Sequence, residues 1–110
     1  MKSTNLKAFH CANKSAIVVA ASERAAVAAV KRSPIATLII GLGGIGIELL
    51  EWGAQDTILC YDRESGDTVP CLVSELIAAI VAQDRANQVI MFDRKSSGAL
   101  EFENVSIPTV

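Results

Sequence analysis

One histidine, His10, serves the whole chain of 110 residues. That scarcity excludes most catalytic sets at once. A Ser-His-Asp or Cys-His arrangement can be assembled only around His10, and a zinc site of Cys and His ligands runs short of donors. Cysteine is scarce as well: Cys11, Cys60 and Cys71 are widely spaced and form no C-x-x-C pair. The odd count argues against a disulfide framework. Aromatic residues make up 5 % of the chain, so the core is to be built from Ile, Val, Leu and Ala. No interleaving of aromatic and basic residues offers nucleic-acid bases a stacking surface.

Neither sign of charge dominates. Ten basic and 12 acidic residues give a net charge of −2, too little for a field that gathers nucleic acid or anionic lipid. Lys2, Lys7 and Lys14 are spread among apolar residues, as on a solvated face. No apolar run approaches the length of a membrane span, and none near the N-terminus has the length of a secretory signal. The expectation is a reduced, cytoplasmic protein with no nucleic-acid and no membrane partner.

What is present is a hydrophobic fraction of 51 %, which supports a folded core over about one domain's length, here 1–110. Residues 6–11 and 16–20 read as two strands around the polar Asn13-Lys14. Ser22 is an N-cap signal with Glu23 in the first turn, and an Ala-rich helix runs on to Lys31 and Arg32 before Ser33-Pro34 stops it. Residues 35–40 and 57–61 read as short, continuous strands. Between them, 45–52 fits both periods and is taken as a short helix.

Leu72, Val73, Leu76, Ile77, Ile80 and Val81 trace a stripe at helical spacing, with Glu75, Gln83 and Asp84 off it. This helix, placed at 72–86, begins either at Val69-Pro70 or with Ser74 as its cap, and Asn87 is its left-handed terminator. Gln88 to Phe92 and Leu100 to Glu103 form strands around a turn at Arg94–Gly98, and the tail from 104 to 110 frays.

Two segments echo one another: Tyr61-Asp62-Arg63-Glu64-Ser65-Gly66 and Phe92-Asp93-Arg94-Lys95-Ser96-Ser97-Gly98. Asp, Ser and Gly are ordinary turn formers, so one strand-exit turn used twice explains the echo. If both are hairpin turns, Thr68 to Leu72 becomes a strand and the sheet largely antiparallel. The resulting expectation is an α+β fold: one small domain with a mixed, partly antiparallel sheet and two or three helices packed mainly on one face.

The motif closest to a named chemistry is Gly41-Leu42-Gly43-Gly44-Ile45-Gly46, directly after the apolar run 35–40. A strand, G-x-G-x-x-G and a helix form a phosphate-cradling turn, in which the glycines let backbone N–H groups approach a pyrophosphate. Asp62, at the exit of the next strand, stands where a carboxylate holds a ribose hydroxyl. The stretch 38–62 resembles the nucleotide-binding turn of dinucleotide-binding and ubiquitin-activating-type enzymes. That resemblance implies adenine nucleotide or NAD as ligand, held by Gly41, Gly43, Gly44, Gly46 and Asp62. Against it stand the short span from Gly46 to Asp62 and the acidic Glu48 and Glu51 beside the anion site. The preferred reading is therefore a glycine-rich loop or hairpin where backbones pass closely, with no cofactor, and nucleotide binding is the alternative.

Two further chemistries can be drawn. Cys71, if it lies in the first turn of the helix near Val69, would have its thiol pKa lowered by the helix dipole. Asp62 and Asp93 would form an acid–base pair if their strands were neighbours. His10 and Cys11, adjacent in a strand, point to opposite faces and cannot activate one another directly.

The unit Ala16-Ile17-Val18-Val19-Ala20-Ala21-Ser22-Glu23, a strand leaving through Ala-Ser into an acidic-capped helix, resembles the opening of small proteins encoded on mobile integron gene cassettes. The resemblance implies a small, often oligomeric protein and transfers no active-site residue. The helix at 72–86 is apolar around much of its circumference, which is expected of a helix that is either centrally buried or half of a subunit interface. Together these give a binding or protein-interaction module, with a second copy of itself as the first expected partner and another protein as the next.

Overall fold

The structure, a computed structural model, describes residues 6–11, 15–34, 49–103 and 105–107. These carry seven strands and two helices: β1 (Lys7–Cys11), β2 (Ala16–Ala20), α1 (Glu23–Arg32), β3 (Leu49–Trp52), β4 (Thr57–Tyr61), β5 (Thr68–Leu72), α2 (Val73–Ala82), β6 (Val89–Arg94) and β7 (Leu100–Phe102). The strands form one mixed sheet in the order β3-β1-β2-β6-β7-β4-β5. Every neighbouring pair is antiparallel except β4 and β7, which run parallel through Cys60 opposite Leu100. The α+β expectation holds at this level, although the fold is dominated by its sheet.

All five residues of β2 are buried, and the strand order explains why. Alternate side chains leave a strand on opposite faces. Ile17 and Val19 enter a cluster with Val73, Leu76, Ile77 and Ile80 of α2. Ala16, Val18 and Ala20 enter another with Ala26, Ala29 and Val30 of α1. A strand covered on both faces needs an unbroken apolar run, and Ala16-Ile17-Val18-Val19-Ala20 is one. The two helices therefore lie on opposite faces of the sheet. This corrects the expectation that the helices pack mainly on one face.

α1 is capped as its sequence indicates. The Ser22 hydroxyl accepts from the Ala25 N–H at 3.1 Å, Glu23 occupies the first turn, and Lys31 and Arg32 the last. α2 starts differently. It follows β5 without a loop, so Val69 and Pro70 belong to the strand rather than to a first helical turn. Pro70 is tolerated there because β5 is an edge strand of the sheet, where a missing donor disrupts no inner ladder. The first donors of α2 are met by the turn between β3 and β4: Val73 N–H donates to the Asp56 carbonyl at 2.9 Å and Ser74 N–H to that of Ala54 at 3.0 Å. Glu75 reaches back to accept from the Leu72 N–H at 3.2 Å.

The far end of α2 closes in a Schellman motif. Asp84 N–H donates to the Val81 carbonyl and Arg85 N–H to that of Ile80, with Asp84 at φ 59°. Asn87 is also left-handed, at φ 62°, but it lies beyond the helix and its N–H donates to the Val19 carbonyl of β2 at 2.7 Å.

One more expectation is revised. Residues 49–52, read as part of a short helix, form β3, paired with β1 so that Trp52 stands opposite Ala8. Residues 45–48 and the strand expected at 35–40 lie outside the described residues. Residues 105–107 are held against α2. The Gln83 side-chain amide donates to the Ser106 carbonyl at 2.8 Å and accepts from its N–H at 2.9 Å, while Val105 and Ile107 pack on the α2 cluster.

Candidate functional site

Both echoed segments are turns that close hairpins, β4–β5 and β6–β7, as the repeat suggests. In the first, the Asp62 carboxylate accepts from the Glu64 N–H at 3.1 Å and the Ser65 hydroxyl at 2.9 Å, and Gly66 turns the chain at φ 76°. In the second, Lys95 N–H donates to the Ala99 carbonyl at 2.8 Å, and Gly98 sits at φ 92°. Positive φ costs glycine little, which is why it stands at both places. The Thr68 and Ser97 hydroxyls meet at 3.5 Å, so the turn regions touch.

Between them lies a charged cluster. Glu101 on β7, with 17 % of its side chain exposed, takes the Arg63 Nε on one oxygen and the Lys95 Nζ, at 2.8 Å, on the other. Arg63 also donates through Nη2 to the Phe102 carbonyl at 3.2 Å. The Lys95 ammonium lies 4.8 Å from the centre of the Tyr61 ring. The hydrogen bond from Lys95, followed by that from Arg63, holds the Glu101 carboxyl below its ordinary range. The hydrogen bond to Glu101 raises Lys95 above its own.

Beside this cluster the exit of β4 and the anchored tail enclose a cleft of about 260 Å³. Phe102, Val105 and Ile107 give it apolar walls, and Asp62, Arg63 and Glu64 a charged rim. Asp62 lines this cleft at the exit of β4. Both of its oxygens already accept hydrogen bonds within its own turn. Gly41, Gly43, Gly44 and Gly46 lie outside the described residues.

The other sequence-derived candidates are dispersed. Asp93 sits in β6 opposite Glu101, and β7 separates β6 from β4. Two inter-strand spacings, about 10 Å, therefore keep Asp93 from pairing with Asp62. Cys71 lies in β5 rather than in a helical first turn, and burial raises its thiol pKa instead of lowering it. Burial likewise raises Cys11, and burial together with the nearby Cys71 pushes Cys60 up to about 12. All three thiols are buried and protonated at neutral pH, the opposite of a poised nucleophile.

His10 faces away from Cys11, as strand alternation requires. Its ring centre stands 5.6 Å from that of Trp52 and 5.7 Å from that of Phe92, which in turn meets the Phe102 ring at 5.4 Å and a tilt of 59°. This aromatic row went unread in the sequence because its members come from β1, β3, β6 and β7, brought together only by strand order. Among the described residues no three of His, Cys, Asp and Glu gather as a metal site. No helix among them is long and apolar enough to cross a membrane.

The second concave feature runs along α2. Leu6, Ala54, Ile77, Ala78, Val81 and Ala82 line a groove of about 390 Å³, with Ser74 at one end. Only Glu75 is charged among the ten residues of α2, and Ala78 and Ala82 are exposed. A helix whose outer face is this apolar has an unfinished surface. No protein-family model, no curated protein and no solved structure matches the chain.

Proposed function

We propose that the chain is a binding module that associates through the groove along α2, with a second copy of itself as the partner. The observation that carries this reading is the outer face of α2, where small apolar residues meet solvent and a single charge interrupts them. Ala78 and Ala82 lie one turn apart and leave room for a facing helix to approach closely. The three buried thiols, each raised above its ordinary value, favour binding over catalysis, because none of them is activated as a nucleophile.

Sedimentation velocity across a concentration series tests this directly. A monomer–dimer equilibrium that Ala78→Glu weakens by roughly tenfold or more supports it. A wild-type chain that stays monomeric into the high micromolar range overturns it.

A second reading has its own observation. Asp62 lines the cleft at the exit of β4, beside Arg63. With Gly41, Gly43, Gly44 and Gly46 it would hold an adenine nucleotide or NAD, Asp62 exchanging a turn hydrogen bond for a ribose hydroxyl. A thermal-shift screen against NAD, NADP, FAD, ATP, AMP and S-adenosylmethionine decides it. A ligand at a hundred times its dissociation constant adds about 2.7 kcal/mol. A shift lost in Gly43→Asp supports this reading, and no shift with any of them removes it.

A further inference from the structure

We draw no further inference here: the strongest candidate, the outer face of β7, β4 and β5 around Leu59 and Pro70, is an unpartnered sheet face, and nothing in the structure shows what covers it.

Discussion

The two halves of the sheet draw on similar residues and bury them differently. In the half formed by β3, β1, β2 and β6, side chains pack both toward α2 and toward α1. In the half formed by β7, β4 and β5, Cys60, Cys71, Leu100 and Phe102 pack toward α2, while the opposite face keeps Leu59 44 % exposed across from the exposed Pro70. The difference is already written in the strands: β2 is apolar at every position, whereas β4 and β5 alternate between buried and open ones. One element, α2, spans both halves, while α1 covers only one. Stability should therefore concentrate in the first half, leaving the second to present surfaces.

The sharpest way to break this comparison is to cut one side chain from each half. Ile17→Ala, at a site with no exposure, should cost about 3 kcal/mol, because both the methylenes and the cavity they leave count against the fold. Leu59→Ala should cost about 1 kcal/mol or less, since much of that side chain is already in water. Equal losses in urea unfolding would mean that the two halves are equally buried.

The next effect concerns α2 and the tail. Gln83→Ala removes the amide that joins the Ala79 carbonyl to both backbone groups of Ser106, and should cost roughly 1 to 2 kcal/mol. Hydrogen exchange should show faster labelling at 105–107 with little change in β2. Unchanged exchange at 105–107 would show that Val105 and Ile107 hold the tail unaided.

Much of the first half was legible in the sequence. Ser22, Glu23 and the Ala-rich run specify α1, and the unbroken apolar run marks β2. A run apolar at every position calls for a cover on each face, which is why the two helices lie on opposite sides rather than on one. For 45–52, Ile45, Leu49 and Trp52 suit a helix while Ile45, Ile47 and Leu49 suit a strand, and over 49–52 pairing with β1 decides for the strand. Val69-Pro70 suggested a helix start, but an edge strand accommodates that proline equally well. At the candidate site, Asp62 and the repeated turn could be read locally. Glu101 as the shared partner of Arg63 and Lys95 could not, since it depends on β7 lying between β6 and β4.

A smaller effect distinguishes the second half by pH. Glu101 is held below its ordinary value of 4.5 in the folded chain. Its contribution is therefore present above that value and lost as pH falls through the lower folded one. Lys95, raised above its ordinary 10.5, has the opposite sign: its contribution is present at neutral pH and is lost as pH rises through the higher folded value. Between neutral pH and pH values below 4.5, the wild type should lose more stability than Glu101→Gln. Parallel pH profiles would leave the cluster without a stabilising role.

The smallest effect has the opposite direction. Asp84 occupies the left-handed position of the motif that ends α2, where glycine carries no Cβ penalty. Asp84→Gly should raise stability by roughly 0.5 kcal/mol. A loss instead would show that the Asp84 side chain contributes more than its backbone strain costs.

If the outer face of α2 is the self-association surface, it responds to protein concentration and the outer face of β4 and β5 does not. Hydrogen exchange of the same protein at low and at high micromolar concentration tests both parts in one experiment. Protection over 74–82 should rise with concentration while that of β4 and β5 stays constant. Exchange over 74–82 that is independent of concentration would contradict self-association through α2.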